Sequence, residues 1–308
     1  MRYLAHLFVR KVKSFPTWLK RKACRYALEN QQRALNQVLD ITMVPPAKGK
    51  LRKLQQIDVL MMRLFDAFCE RHHYRYFLAY GTLLGAIRHG GFIPWDDDVD
   101  LMVFLDDFKP LKSKLEKEMR GTRFELYGVE SARYDDLTFR ISHKDFPSAN
   151  IDLFLTVPSG KSFSDLAGQR PVLQKFADRQ LKRSERLAYY GPSRDILDDY
   201  WERFCCEVAG MVSKTEVEEA MSFYGIGCRD SNCYEREVLL PLRRVRFEGW
   251  DFPAPNNPQV YLDETIKNWM SFPPRFDHHG DNFLSFTLQE ADDMIAYLES
   301  CVKEKRFI

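Results

Sequence analysis

The chain lacks long apolar runs, a secretory signal and any large excess of charge. No apolar stretch in its 308 residues approaches the roughly 20 residues that a membrane-spanning helix needs. The apolar segment at residues 4–9 is too short for a signal peptide, and a small-residue cleavage site is missing. The formal net charge is only +2, which does not favour nucleic acid as a partner. We therefore expect a cytoplasmic protein that neither crosses a membrane nor binds nucleic acid.

The chain also lacks the cysteine pattern of a disulfide framework. Its seven cysteines are odd in number and irregularly spaced, which indicates free thiols in a reducing compartment. The composition is otherwise that of ordinary globular proteins, with 45% hydrophobic and 29% charged residues. The length is sufficient for a large core, in one elaborated domain or in two small ones.

The small net charge hides a basic N-terminal segment. Residues 1–25 contain eight basic and no acidic residues, so their formal charge is +8. Because the whole chain carries +2, the remaining residues carry −6. Leu, Phe, Trp and Tyr are mixed among the basic residues, as in segments that lie in an anionic membrane surface. A helical arm that docks on its own domain or on a partner chain is an equally good interpretation. Residues 44–50, VPPAKGK, have linker composition, so we predict an arm over 1–50 and the main domain over 51–308.

The most informative stretch is YGTLLGAIRHGGFIPWDDDVDLMV, residues 80–103. Residues 74–80 alternate as strands do, and Gly81 and Thr82 end the pattern before residues that favour a helix. Glycine at such a turn lets the backbone approach a ligand closely, and the positive end of the helix dipole suits a phosphate. Gly81 and the hydroxyl of Thr82 are therefore candidate phosphate-binding groups. Taken alone, the pattern is also that of an ordinary helix start.

Four aspartates follow this helix: Asp96, Asp97, Asp98 and Asp100. The apolar residues around the last two alternate as in a strand, so Asp98 and Asp100 project from one face of it. Two carboxylates this close repel each other unless a cation lies between them. Mg²⁺ or Mn²⁺ suits hard oxygen ligands and keeps positions free for phosphate oxygens. A solvated acidic loop is the commoner fate of a charge run, but this run lies between Trp95 and an apolar strand, which favours a metal site.

The whole pattern over residues 80–103 resembles the signature of the LicD/fukutin-related family, within the nucleotidyltransferase-like superfamily. The final third is similar to the same family, with two strand-like runs around Glu248–Gly249, a proline-asparagine loop, a helix and the segment SFPPRFDHHG. The resemblance covers roughly residues 51–280 and is weak in the middle. One departure is Ile266-Lys267-Asn268-Trp269, where relatives usually have Tyr-Gly-Asp-Tyr. If that segment touches the donor or the acceptor, we expect a different specificity.

The resemblance implies an α+β fold with a nucleotidyltransferase-like mixed β-sheet core flanked by helices. It also implies that Gly81 and Thr82 hold donor phosphates, that Asp98 and Asp100 bind the metal, and that Asp152 supplies a third carboxylate. A lone aspartate in the apolar run NIDLFLTV is costly to bury without a cation or a hydrogen-bond partner, which independently favours Asp152. In the site, Asp152 either ligates a second metal ion or takes the proton of the acceptor hydroxyl. A buried structural aspartate is the alternative.

Three further residues are candidates for the same site. Asp96 is an additional or outer-shell metal ligand. Arg88, on the helix after the glycine turn, is a candidate to steady the transferred phosphoryl group, and a salt bridge to an aspartate is its alternative. Arg140, on a predicted strand, is a candidate to contact donor phosphates, although a surface arginine is the ordinary interpretation.

The remaining patterns predict the flanking elements. We predict helices over residues 51–74, 106–119, 171–190, 193–211, 215–224 and 258–270, and strands over 123–130, 137–142 and 150–158. The helices within 170–225 form a predicted helical insert. The capping box Thr287-Leu-Gln-Glu290 opens a last helix that ends near residue 307.

The family resemblance implies a phosphotransferase. LicD-type members are similar to enzymes that move phosphocholine, or another polyol phosphate, from a CDP-linked donor onto a glycan. We therefore expect CDP-choline as donor and a lipid-linked or surface glycan precursor, as in lipopolysaccharide or teichoic acid modification, as acceptor. The protein would lie peripherally at the cytoplasmic face of a membrane. Two alternatives remain: a metal-dependent glycosyltransferase that uses a nucleotide sugar, and a non-catalytic scaffold.

Overall fold

The computed structural model describes residues 17–131, 136–189, 194–226, 232–273 and 284–307. These residues group into two compact units. One contains the described residues of Met1–Pro45 and Asn268–Asp277, and the other those of Pro46–Lys267 and His278–Ile308. None of the helices in the described ranges is long and apolar enough to cross a membrane.

The smaller unit is built on helix α1 (Thr17–Val38) and a 3-10 turn at Ile41–Met43. Two hydrogen bonds tie α1 to the segment after residue 268. The side-chain amide of Gln32 donates to the carbonyl of Phe272 over 2.6 Å, and the Phe272 N–H donates to Asn36 over 2.8 Å. Val38 and Met43 are exposed in this unit.

The larger unit is organised around a mixed sheet of seven strands. These are β1 (Tyr76–Leu78), β2 (Val99–Phe104), β3 (Phe124–Ser131), β4 (Asp136–His143), β5 (Phe146–Ser159), β6 (Ser222–Ile226) and β7 (Cys233–Glu235). The order is β1-β2-β5-β4-β3, with β6 on the second half of β5 and β7 beyond β6. Only β2 and β5 run parallel among these pairs. Both are almost entirely buried, so this parallel pair forms the centre of the core.

Helices cover the sheet. They are α2 (Gly49–His72), α3 (Tyr80–His89), α4 (Leu105–Met119), α5 (Phe163–Tyr189), α6 (Arg194–Met211), α7 (Arg236–Leu239), α8 (Pro258–Thr265) and α9 (Leu288–Glu304). Helix α2 packs on β5, and α9 packs along α2. A hairpin of β8 (Arg243–Phe247) and β9 (Trp250–Ala254) turns at Glu248–Gly249.

This architecture confirms the predicted α+β class with a mixed sheet flanked by helices. The buried face of α2 contains the predicted apolar positions, among them Leu54, Ile57 and Phe65. The capping box of α9 is also present, with the Thr287 and Glu290 side chains each bonded to the other residue's backbone. The predicted boundary between residues 50 and 51 lies in the first turn of α2.

Three predicted elements need correction. The helix predicted over 215–224 is wrong: a 3-10 turn at Val217–Glu219 leads into strand β6. Pairing with β6 satisfies the backbone hydrogen-bonding groups in the second half of β5. This pairing between distant segments overrides the local helical pattern of residues 215–224. The insert is therefore not wholly helical. The helix predicted over 258–270 ends at Thr265, and the strand predicted over 74–80 is only Tyr76–Leu78, because Tyr80 already begins α3.

Candidate metal and phosphate site

The glycine turn brings the start of α3 against the acidic cluster. Tyr80 has a positive φ of 39°, and no side chain caps the helix at Ala79. The Gly81 N–H donates to Asp100 Oδ2 over 3.3 Å. A Cβ on Gly81 would lie 2.9 Å from Asp96 Oδ2 and 3.5 Å from Asp100 Oδ2. Only glycine allows the helix start to approach two carboxylates this closely.

Thr82 holds the strand that bears the aspartates. Its side chain is 1% exposed, and its hydroxyl oxygen accepts a hydrogen bond from the Asp100 N–H over 2.8 Å. A second bond joins the Ala79 N–H to the Asp100 carbonyl over 3.0 Å. The observed contact of Thr82 is therefore with the site's backbone, and phosphate binding by Thr82 stays a prediction.

Asp98, Asp100 and Asp152 converge as the sequence predicted. One carboxylate oxygen from each lies within 4.8 Å of the others. The register explains this convergence, because Asp100 and Asp152 are direct neighbours on the parallel strands β2 and β5. A second group with the same spacing consists of Asp96, Asp97 and Asp98, so Asp98 belongs to both groups.

The electrostatics of the cluster favour a bound cation. Burial raises the pKa of Asp100 well above its usual range, and the carboxylates of Asp98 and Asp152 raise it further. Three hard oxygen ligands in one small space are the donor set that Mg²⁺ and similar ions prefer. The residues present therefore fit a divalent metal ion.

Arg140 is placed opposite Asp152 on the neighbouring strand β4. Its Nε donates to Asp152 Oδ1 over 2.6 Å and its Nη2 to Oδ2 over 2.7 Å. Both oxygens of Asp152 are thus engaged by one guanidinium in a bidentate ion pair, the geometry that is strongest for arginine and carboxylate. The structure brings Arg140 into the site as the partner of an aspartate, and its contact with donor phosphates stays a prediction.

Arg88 is a nearly buried cation at the end of α3, 8% exposed. Burial lowers its pKa to about 10, and the Asp96 carboxylate opposes this decrease. The guanidinium carbon lies 6.0 Å from the centre of the Trp95 ring. Arg88 therefore places a positive charge near Asp96. This position agrees with the predicted salt bridge to an aspartate, and a contact of Arg88 with the transferred phosphoryl group stays a prediction.

Four residues that border the site were not predicted. Asp58 on α2 is fully buried and its Oδ1 accepts a hydrogen bond from the Asn150 N–H over 3.2 Å. Burial raises the pKa of Asp58 well above its usual range, and Asp98 adds to this increase. The others are Gln55 on α2, which donates to the carbonyls of Ile93 and Asp96; Glu248 at the hairpin turn, which accepts from the Phe92 N–H; and Arg52 on α2, which pairs with Glu248. Polar residues every third position in an otherwise apolar helix face were the signal that could have identified those on α2.

In the site as a whole, a helix start faces carboxylates on two adjacent central strands of a mixed sheet flanked by helices. Residues 73–191 match the LicD/FKTN/FKRP nucleotidyltransferase domain. The resemblance found in the signature sequence is thereby confirmed.

Two curated relatives match shorter segments. Lipopolysaccharide cholinephosphotransferase LicD of Haemophilus influenzae is 48% identical over 62 residues, which are 20% of this chain and 23% of that protein. Human ribitol 5-phosphate transferase FKRP is 34% identical over 84 residues, or 27% of this chain and 17% of that protein. The chain therefore spans less than a quarter of the length of these relatives.

Proposed function

We propose that this protein transfers phosphocholine, or a related polyol phosphate, from a CDP-linked donor to a sugar hydroxyl. The acceptor would be a cell-surface glycan or a lipid-linked glycan precursor. The proposal depends above all on the convergence of Asp98, Asp100 and Asp152 beside the Gly81 helix start. The names of the relatives, a cholinephosphotransferase and a ribitol 5-phosphate transferase, support phosphate-ester transfer as the reaction class.

In this proposal Asp98, Asp100 and Asp152 hold Mg²⁺ or Mn²⁺, with Asp96 as an additional ligand. When bound, the ion would neutralise charge on the donor diphosphate and on the departing nucleotide. The raised pKa of Asp100 supports this assignment. Ionisation of a buried carboxyl beside other carboxylates is unfavourable without a cation, and a bound metal ion would supply that cation.

The rest of the site would orient the donor. The backbone at Gly81 approaches the phosphates closely because no side chain intervenes, and the positive end of the α3 dipole favours their charge. Arg88 balances the charge of Asp96 and steadies the transferred phosphoryl group. These contacts would orient the phosphorus toward the acceptor hydroxyl.

The reaction breaks one phosphorus–oxygen bond and forms another. The acceptor hydroxyl oxygen attacks the phosphorus that bears the head group, the bridging oxygen leaves with CMP when the donor is CDP-choline, and the hydroxyl proton passes to water. In this proposal Asp152 acts as a metal ligand, and the bidentate pair with Arg140 fixes the orientation of its carboxylate.

The test is a thermal-shift panel of Mg²⁺ or Mn²⁺ with CDP-choline, CDP-glycerol, CDP-ribitol and UDP-glucose. We expect metal-dependent stabilisation by one CDP compound in the wild type. The double variant Asp98→Asn with Asp100→Asn should lose it. Asp292→Asn with Asp293→Asn, which removes two exposed acids from α9, one of them paired with Lys53, is the matched control and should keep it.

Other outcomes identify the alternatives. Stabilisation by UDP-glucose alone would favour the glycosyltransferase. Equal stabilisation of the wild type and of the Asp98 and Asp100 double variant would contradict the metal site. No response to any metal or nucleotide would favour the scaffold.

A further inference from the structure

In the N-terminal half of α2, a polar stripe crosses the otherwise apolar buried side of the helix. Arg52, Gln55 and Asp58 are spaced three residues apart, so their side chains project from neighbouring turns on one side of the helix. We define these three residues as the polar stripe. Gln55 and Asp58 are at most 1% exposed. Such polar side chains are rarely fully buried unless they form hydrogen bonds.

Gln55 holds the loop that leads into the aspartates. Its side-chain N–H donates to the carbonyl of Asp96 over 2.9 Å and to that of Ile93 over 3.3 Å. Its Oε1 accepts from Arg52 over 3.4 Å. Arg52 therefore orients the Gln55 amide, and this amide bonds to the backbone of Asp96. The carboxylate of Asp96 lies beside Gly81.

Arg52 holds the same loop through Glu248. The guanidinium forms a bidentate pair with the Glu248 carboxylate over 2.9 and 2.7 Å. That carboxylate also accepts from the Phe92 N–H over 3.1 Å, and the Glu248 N–H donates to the Gly90 carbonyl over 3.0 Å. A Cβ on Gly91 would lie only 2.4 Å from Glu248 Oε1, so the loop fits closely around this carboxylate.

Asp58 holds the other side of the site. It accepts from the backbone N–H of Asn150, two residues before Asp152 on β5. The polar stripe thus contacts the backbone of both segments that bear the metal-binding carboxylates.

We infer that the polar stripe positions these carboxylates for the metal, and that Gln55 is its central residue. The inference rests on the proposed metal site. Four carboxylates that repel one another stay convergent only if their backbone is fixed. Helix α2 is a rigid support for this purpose, because α9 packs along it. Loss of such outer contacts typically weakens metal binding about 10–100-fold.

The variant Gln55→Met tests this inference, because it keeps the side-chain length and removes both hydrogen bonds to the loop. Ser159→Ala is the matched control at the far end of β5: it also removes two hydrogen bonds, one donated to the Val212 carbonyl over 2.6 Å and one accepted from the Lys161 N–H over 3.1 Å. Mn²⁺ is titrated into each protein by calorimetry without donor, and amide hydrogen exchange is measured over residues 90–98.

We expect the Kd for Mn²⁺ to rise about 10–100-fold in Gln55→Met, with faster exchange confined to residues 90–98. Ser159→Ala should keep the wild-type Kd. An unchanged Kd in Gln55→Met, or faster exchange spread evenly over the protein, would overturn the inference. If Gln55→Met does not fold, Glu248→Gln replaces it: a smaller rise in Kd is expected, and an unchanged Kd overturns the inference.

The two proposals fail in different ways. A wild type that binds Mn²⁺ but transfers no phosphate contradicts the proposed function alone. A Gln55→Met protein with wild-type metal affinity and transfer activity contradicts the positioning role alone. A wild type without affinity for Mn²⁺ contradicts both.

Discussion

The ion pair of Arg140 and Asp152 determines what each residue can contribute to the site. Arg140 is about a quarter exposed at its side chain, and Asp152 about a tenth. In the absence of a metal ion, this guanidinium is the counter-charge that faces Asp152 directly. A bound cation would therefore share Asp152 with Arg140, and the two positive charges would compete for the same carboxylate.

Replacement of Arg140 by Gln tests this competition. We expect the metal-free protein to lose about 1.5–3 kcal/mol of unfolding free energy, because a charged hydrogen-bond partner is removed from a carboxylate that remains buried. Saturating Mg²⁺ should then stabilise the variant more than it stabilises the wild type. Urea unfolding with EDTA and with Mg²⁺ measures both quantities. If Arg140 instead serves mainly the donor, the gain from Mg²⁺ will be equal in the two proteins and KM for the donor will rise.

Asp58 predicts a pH dependence of stability. Its pKa in the folded protein lies well above the ordinary value of 3.8 because the carboxyl is buried near Asp98. The folded state therefore binds this proton more tightly than the unfolded state, and stability falls as pH rises above about 3.8, until the folded pKa is reached. Below the unfolded pKa both states are protonated, and the effect disappears.

Asp58→Asn should remove this pH dependence. The amide keeps an acceptor for the Asn150 N–H but cannot ionise. We expect the variant to gain unfolding free energy over the wild type by about 1.4 kcal/mol for each pH unit above the unfolded pKa. Urea unfolding in EDTA at several pH values between 4 and 7.5 gives the difference. A difference that stays constant over this range would contradict a raised pKa of Asp58.

At the scale of elements, α3 and the loop after it are packed closely through a second glycine. A Cβ on Gly85 would lie 2.4 Å from the Gly91 carbonyl oxygen and 3.1 Å from the Ile93 nitrogen. These are backbone atoms, which cannot move aside as a flexible side chain can. Gly85 therefore sets the distance between α3 and the loop that leads to the aspartates.

Gly85→Ala should destabilise the protein by about 1–3 kcal/mol through this overpacking. Gly168→Ala is the control, because it also lies within a helix but a Cβ there meets no atom within 4 Å. The control should gain up to about 1 kcal/mol from helix propensity. Urea unfolding of both variants measures the difference, and a gain of stability in both would show that α3 and the loop separate easily.

The sequence predicted the elements whose pattern directly reflects burial. Strand alternation identified β2, a continuous apolar run identified β5, and helical spacing identified α2. Asp98 and Asp100 were predicted from the repulsion of two carboxylates on one strand face, and Asp152 from the family resemblance and the cost of burying a lone aspartate. Local patterns did not predict β6, because its conformation depends on pairing with the distant β5.

Contacts between distant segments limited the prediction of the site as well. The bidentate pair of Arg140 with Asp152 requires the register between β4 and β5, which neither strand encodes alone. Glu248 reaches the loop after α3 from 156 residues further along the chain. The polar stripe was overlooked because the periodicity of α2 was interpreted only through its apolar positions.

At the scale of the whole molecule, the charge is divided unevenly along the chain. Residues 1–25 carry +8 and the rest carries −6. Each basic residue near an anionic bilayer contributes about 1 kcal/mol of attraction, and salt screens this attraction within a Debye length. A lipid-linked acceptor would be reached most easily by an enzyme held at such a surface, which is the location that we propose for this protein.

Reversal of charge in the N-terminal segment tests this location. The variant Arg10→Glu with Lys11→Glu and Lys13→Glu changes the net charge by six units. We expect its binding to vesicles with anionic lipid to weaken by at least about 100-fold. Three attractions of about 1 kcal/mol each are lost, and repulsion replaces them. Co-sedimentation at low and at high salt measures the binding. Reversal of Lys109, Lys114 and Lys117 on α4 changes the net charge equally and is the control, which should bind nearly as the wild type does. If both variants bind alike, overall charge governs the attraction, and the N-terminal segment has no special role at the membrane.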